Sequence, residues 1–459
     1  MKLRLVDPSS SAVPIHLVPK EGLDAFKAGQ PAETARWLDA TAFRAEAGSV
    51  SLVPGSGGTV AAVVLGTAKA PDTWTLAGAA ADLPPATYRL AAEPEGELAS
   101  RLALGWALGS YRFDRFRKPD EKPKPDLVWP KSADRAGVTR LARWIAFARD
   151  LISTPTEAMG PAELAAAAQG VAEEFGAKFS TVVGQALLDQ NYPMIHAVGR
   201  AAAREPRLID FTWGDPSHPK VTLVGKGVCF DSGGLDIKPA DGMLMMKKDM
   251  GGAAILLALA GAIMQAGLKV RLRLLIPAVE NAISGSAFRP GDIFKSRKGI
   301  TVEIGNTDAE GRLILSDALA EADSEAPELL IDAATLTGAA RVALGADLPA
   351  LFTDDDTLAA DLARLGNEVD DPLWRMPLHK PYRKMLESPI ADINNVSRGG
   401  FAGAVTAAVF LNEFVGKAKA WAHLDLYAWN ADKRPGRPVG GEATALRCLH
   451  ALLVKRYGG

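Results

Sequence analysis

Four carboxylates, two lysines and one arginine fall into two short stretches of this chain, each on glycine-rich turns that follow apolar runs. The first stretch carries Lys226, Asp231, Lys238 and Asp249; the second reads Asn306-Thr-Asp308-Ala-Glu310-Gly-Arg312-Leu313. Loops that follow strand ends are where α/β proteins keep their chemistry. Asp231, Asp249, Asp308 and Glu310 are hard oxygen donors, and the Asp308-x-Glu310 spacing lets both point into one volume from a tight turn. Gathering such groups away from water is strongly repulsive unless cations join them. Two divalent ions would balance the four charges. Each acid also has a plainer role: Asp231 or Asp308 can cap a helix, and Asp249 can start one. Taken together on adjacent turns, they favour a metal site. Neither stretch contains histidine, which argues against a mononuclear His-rich zinc centre.

Nucleotide readings of the same residues fail on spacing. A phosphate loop ending in Gly225-Lys226 needs glycine where Lys220 stands and Ser or Thr where Gly227 stands. A dinucleotide fingerprint needs its last glycine where Phe230 stands.

The elements that must position these residues alternate between strand and helix. At 459 residues the chain is too long for one ordinary core, so two or more domains are expected. Its 48% hydrophobic and 23% charged composition is that of a globular protein, and a net charge of -2 provides no general field for nucleic acid or anionic lipid. Cys229 and Cys448 are the only cysteines, which points to a reducing compartment without a disulfide framework. The N-terminus lacks the apolar core of a signal peptide, and the most apolar window, Ala253 to Met264, is too short to span a bilayer. A cytoplasmic protein with no membrane contact is the expectation.

Val13–Val18 and Thr59–Leu65 read as strands, while Pro31–Glu46 and Gly96–Leu108 have helical spacing. His16 lies within an apolar strand and reads as a core histidine. The proline-rich, mixed-charge run Arg115–Lys131 reads as a stiff solvated connector. This gives an N-terminal α/β domain over 1–114, a linker over 115–135 and a larger domain over 136–459. In the larger domain, helices are expected over Ala136–Ile152, after Pro161, near Leu187, over Asp249–Ala266, over Arg312–Ala322 and near Thr337–Leu344. Strands are expected at Phe179–Val183, Val221–Val224, Val270–Pro277, Leu329–Ala333 and Trp421–Leu426; an apolar helix is expected at Ala402–Val415 and a last helix at Ala443–Lys455. Such alternation predicts a mainly parallel central sheet flanked by helices.

The spans Gly225–Ala254 and Asn306–Leu313 resemble the leucyl aminopeptidase family, the cytosolic two-metal peptidases of the M17 type. The octapeptide Asn306–Leu313 matches that family's signature, and Lys226 to Asp249 keeps its spacing. Weaker resemblance covers Arg149–Pro155, Ile331–Gly338 and Trp421–Asp425, so it extends over most of the chain after about residue 136. The resemblance implies that Asp231 and Glu310 bridge two divalent ions, that Asp308 completes one site, and that Lys226 and Asp249 complete the other. Manganese or zinc leads among the metals, with cobalt or magnesium next. The lysine ligand would have to be neutral. Lys238 and Arg312 match the family's catalytic pair, the first as oxyanion stabiliser, the second as holder of a bicarbonate general base. Met246, Asn306, Thr335, Leu336, Gly338 and Tyr427 map onto its substrate pocket. Tyr427 stands where relatives carry a small residue, which predicts a shallower or more polar pocket and puts a leucine preference in doubt. His423 reads as structural. The family also implies a macro-domain-like N-terminal domain, a homohexamer and peptide substrates. The alternative, from a different class, is a DNA-binding or regulatory scaffold with secondary or no peptidase activity.

Overall fold

The computed structural model describes residues 2–118 and 122–458; residues 119–121 of the expected linker lie outside the described residues. The chain divides into two compact units, Met1–Ala146 with Asn430–Val439 and Phe147–Trp429 with Gly440–Gly459.

The first unit is built on β1 (Leu5–Val6), β2 (Val13–Pro19), β3 (Val50–Pro54), β4 (Val60–Thr67), β5 (Thr87–Leu90) and β6 (Asp126–Val128), in the order β1-β6-β5-β2-β4-β3. Only the β3–β4 pair is antiparallel. Helix α1 (Gly96–Gly109) buries Leu102 and Trp106 in a core shared with Ile15, Tyr88 and Leu127. The helix expected over 31–46 is shorter, Ala32–Ala40, because Ala42 turns to a left-handed φ of 50° just beyond it. His16 is partly buried against Phe26, with ring centroids 5.1 Å apart.

Helix α2 (Arg135–Ser153) carries the chain into the second unit, and α3 (Pro161–Glu174) follows with proline at its first position, where no amide donor is needed. The strands of this unit include β7 (Lys178–Val183), β8 (Arg207–Trp213), β9 (Lys220–Gly225), β10 (Gly227–Asp231), β11 (Arg271–Asn281), β12 (Ile293–Lys295), β13 (Thr301–Glu303), β14 (Leu329–Ala334), β15 (Ala350–Phe352), β16 (Trp374–Arg375), β17 (Ile393–Asn394) and β18 (Trp421–Asp425). The main sheet runs β16-β15-β18-β14-β9-β11-β8-β7, and β12-β13-β17 form a small separate sheet. Its centre, β18-β14-β9-β11, is parallel, whereas β7, β8 and β15 join antiparallel. Both β14 and β18 are buried at every position, as strands covered on both faces must be. Cys229 and Cys448 are free and buried.

Two helices bear directly on the sheet's centre. Helix α4 (Gly251–Ala266) is buried from Gly251 through Met264 and is closed by Gly267 in the left-handed conformation. It starts two residues later than expected, because Met246–Met250 forms a tighter 3-10 turn that holds Asp249. The continuous helical stretch Ala240–Ala266 is long and apolar enough to cross a membrane by length and composition, unlike the short window read from sequence; 89% of its apolar window is buried inside the protein, as in a core helix. Helix α5 (Glu310–Ser324) begins at Glu310 itself, so the glutamate occupies the first turn, where the helix dipole favours an anion.

The sheet register explains how Lys226 is presented. Strands β9 and β10 both run parallel to β11, along 271–275 and 278–281, and the one residue between them is Lys226. There the backbone leaves the ladder: Lys226 N–H donates to the Ala333 carbonyl, and the Lys226 carbonyl accepts from Ala253 N–H, both at 3.0 Å. This close approach of β14 and α4 requires glycine at 252, since a Cβ there would stand 2.0 Å from the Ala333 oxygen. Gly252→Ala is therefore expected to destabilise the fold by about 1–3 kcal/mol through overpacking. The midpoint of chemical unfolding checks this, and an unchanged midpoint would contradict it.

Candidate active site

The carboxylates sit on four separate segments. Asp231 ends β10, Asp249 lies in the 3-10 turn before α4, Asp308 occupies the turn before α5, and Glu310 opens that helix. Asp231, Asp249 and Glu310 are buried; Asp308 has its side chain one-third exposed. Lys226 Nζ lies 2.7 Å from Asp249 Oδ2 and 3.0 Å from Glu310 Oε1. Lys238 Nζ lies 2.8 Å from Asp231 Oδ2 and also pairs with Asp308 Oδ1. Each lysine thus spans one acid from each stretch. Gly311 permits this geometry, because a Cβ there would stand 2.5 Å from Lys226 Cε.

Neutral side chains fix two further oxygens. Asn281, at the end of β11, donates its amide to Asp231 Oδ1 at 2.9 Å. The Thr335 hydroxyl donates to Asp249 Oδ1 at 2.8 Å, and the Thr335 carbonyl accepts from Lys226 at 2.9 Å. Asn306 Oδ1 accepts from the Asp308 amide at 2.6 Å, shaping the turn. Buried Arg312 donates through Nη1 to the Asn395 carbonyl at 2.7 Å, while its buried Nε has no hydrogen-bond partner.

The charges are not balanced by these contacts. Burial, reinforced by the fields of Asp231 and Asp249, pushes the Glu310 carboxyl up to about 8. Burial and the adjacent Asp231 raise Asp308 to about 6. Burial opposes the Lys226 ammonium, but Asp249, Glu310 and Asp231 outweigh it and hold the amine above the ordinary lysine value. Lys238 is raised against burial in the same way, by Asp231 and Asp308. Burial depresses Arg312 to about 10.

The residues present suit divalent cations. Asp231, Asp308 and Glu310 can each offer an oxygen such that all three lie within 4.8 Å of one another. Glu310 Oε2 is buried and accepts no hydrogen bond, an arrangement that carries a desolvation penalty unless something positive meets it. All-oxygen donors with one amine suit manganese, zinc, cobalt or magnesium more than soft-metal chemistry.

Every site residue expected from sequence lines one cavity of about 460 Å³: Lys226, Asp231, Lys238, Asp249, Asp308, Glu310 and Arg312, together with Met246, Asn306, Thr335, Leu336, Gly338 and Tyr427. His423 is not among its lining residues. Its Nδ1 instead meets Asp332 Oδ1 at 2.5 Å, and Trp421 Nε1 donates to Asp332 Oδ2 at 2.7 Å, tying β18 to β14. Sequence reasoning missed Asn281, Asn395, Lys248 and Arg341. Asn281 had a signal in its place at the end of an apolar strand, and Lys248 in its place beside Asp249; Asn395 and Arg341 had none.

A parallel-centred α/β unit that gathers hard oxygen donors, two lysines and a buried arginine at its strand ends defines a hydrolase-type centre. The chain belongs to the cytosol aminopeptidase family: residues 146–450 match its catalytic domain and residues 13–130 match the M17 aminopeptidase N-terminal domain. It is a hydrolase of the aminopeptidase class. A probable cytosol aminopeptidase of Roseiflexus castenholzii is 43% identical over 370 residues, covering 77% of this chain and 75% of that protein. Peptidase B of Pectobacterium atrosepticum is 39% identical over 366 residues, covering 77% and 82%. Among solved structures, the cytosol aminopeptidase from Coxiella burnetii superposes with a TM-score of 0.95 at 48% identity over 99% of both chains. The bottromycin maturation enzyme BotP in complex with Mn gives 0.86 at 33% identity, over 97% of this chain and 100% of that one. None of these relatives supports the DNA-binding scaffold alternative.

The raised carboxyls set a pH dependence for the protein held in chelator. Glu310 has a folded-state value above its ordinary 4.5, so its contribution to stability is full below that value and is lost as pH rises through about 8. Thermal melts in chelator should therefore show a lower midpoint at pH 9 than at pH 6, and Glu310→Gln should flatten the difference. A midpoint that rises over this interval in the parent protein would contradict the assignment.

Proposed function

We propose that this chain is a metal-dependent aminopeptidase that hydrolyses the first peptide bond of peptides, with Asp231, Glu310, Asp308, Asp249 and Lys226 holding two divalent ions. The observation that carries this reading is the buried Glu310 oxygen that accepts no hydrogen bond, amid three other carboxylates. The related BotP, solved in complex with Mn, supports divalent-metal binding. Manganese or zinc comes first, cobalt or magnesium next.

Bound ions supply Lewis-acid polarisation of the scissile carbonyl and a water acidic enough to attack near neutral pH. The chain's own groups do the rest. Asp231 and Glu310 lie between the two lysines and suit the bridging role, while Asp308 and Asp249 flank them. Lys226 must shed its proton to act as an amine donor, against the carboxylate fields that hold it, and neighbouring dications reverse that field. Lys238, with its side chain 14% exposed at the cavity, is placed to meet the oxyanion that develops as the carbonyl is attacked. Arg312 has a free buried Nε and suits a small oxyanion such as bicarbonate, which would take the proton from water. The substrate's free α-amine would be held by one of the bound ions, so a free N-terminus is required and each cut removes the N-terminal residue only. Met246, Asn306, Thr335, Leu336, Gly338 and Tyr427 form the substrate pocket; Tyr427 argues against a leucine preference. The reading extends, on family resemblance, to a homohexameric cytoplasmic enzyme with modules at 1–114 and 136–459 joined by a linker over 115–135.

Aminoacyl-p-nitroanilides, with and without added manganese or zinc, test this directly. Release should require metal and vanish in Asp308→Ala, and Lys238→Met should lower kcat by about 10²–10³-fold, the loss typical of an oxyanion donor. No release with any metal or residue would overturn the proposal.

A further inference from the structure

The part of the cavity lined by Lys248, Arg341 and Tyr427 is positively charged and lacks a counter-ion among the described residues. Lys248 is 4% exposed, and its Nζ lies 4.6 Å from the centroid of the Tyr427 ring. Arg341 projects from α6 (Gly338–Leu344), with its Cζ 5.1 Å from the same ring. Lys248, Arg341 and Tyr427 all line the cavity. Among the described residues neither cation forms an ion pair, and neither side chain makes a hydrogen bond.

The nearest acids are engaged elsewhere. Asp249 is held by Lys226 and the Thr335 hydroxyl. Asp425 accepts from Leu336 N–H at 3.0 Å, Thr337 N–H at 3.2 Å and the Thr337 hydroxyl at 2.6 Å. A buried ammonium without a partner bears a desolvation penalty that an aromatic face only partly offsets. Buried Lys248 and exposed Arg341 over one ring form a receptor for an anion, and the planar guanidinium suits a carboxylate.

The cavity thus joins the ion-holding acids to a patch of unpaired cations. An amino acid with an acidic side chain matches both, because its α-amine suits the ion-holding acids and its side-chain carboxylate suits the cations. We propose that this pocket selects peptides whose N-terminal residue is aspartate or glutamate, with Lys248 and Arg341 binding the side-chain carboxylate and Tyr427 serving as the platform between them. This rests on the aminopeptidase reading of the same cavity and names its substrate class.

The test compares kcat/KM for glutamyl- and glutaminyl-p-nitroanilide, which differ in charge at nearly constant shape, beside alanyl, leucyl, phenylalanyl and lysyl substrates. The expected result is a glutamyl-to-glutaminyl ratio of at least about tenfold in the parent enzyme. Lys248→Met and Arg341→Gln should each bring that ratio toward one, and Arg341→Glu should shift preference toward lysyl substrates. Arg341 is exposed, so its variants probe charge without loss of core packing. A parent ratio at or below one, a preference led by phenylalanyl or leucyl substrate, or a ratio unmoved by both neutral variants overturns the proposal while leaving the aminopeptidase intact. Absence of turnover with every substrate and metal would instead overturn the parent reading and this one with it.

Discussion

Mutual repulsion among Asp231, Asp249, Asp308 and Glu310 is the constraint to which the rest of the second unit answers. Three of the four are buried, and like charges brought together in a poorly solvated volume oppose folding unless opposite charge is placed among them. Lys226 and Lys238 provide part of it, each bridging acids from different segments. For Lys226 to reach its place, a strand must be interrupted at one residue, a helix start and a neighbouring strand must close on its backbone, and position 311 must have no side chain. Much of what looks like ordinary α/β packing around β9, β14 and α4 is the frame for that one amine.

Much of this frame was legible in the sequence, and the reasons differ by element. Central strands such as β14 announced themselves as short, mostly apolar runs, and α4 by its length, composition and closing Gly267. The start of α4 was misplaced because Asp249 is a good helix-start residue locally, whereas the tertiary demand to aim it at Lys226 winds the preceding turn more tightly. The acidic centre was legible because its residues fall in two dense clusters. Asn395 was not: it orders the Asn306 turn from 89 positions away, and nothing in its own neighbourhood marks it. Arg341 was hidden for a related reason, since an arginine on an exposed helix face is ordinarily a solvated charge, and only the meeting with Tyr427 makes it part of the cavity. The return of residues 430–439 to the first unit likewise has no signature in local pattern.

The cavity separates two tasks in space. Its acidic end is built from strand ends and helix starts fixed by backbone hydrogen bonds. Its cationic end is built from side chains reaching across from the 3-10 turn, α6 and the segment after β18. The first arrangement tolerates little change, because each acid is tied to a lysine, an amide or a hydroxyl in a buried setting. The second rests on longer side chains about one ring. On the proposed reading, bond cleavage and choice of residue would be carried by parts of the structure with different tolerance to substitution.

The contacts that close the acidic cage also span long stretches of chain. Lys226 meets the Thr335 carbonyl across 109 residues, Asp249 meets the Thr335 hydroxyl across 86, and Arg312 meets Asn395 across 83. A nascent chain emerging from the ribosome therefore has separate, solvated acids until β14 is in place, and an incomplete arginine setting until residue 395 has followed. The centre comes into being late and in steps. Until then a growing chain has no assembled cage of acids and lysines, and no finished cavity beside it.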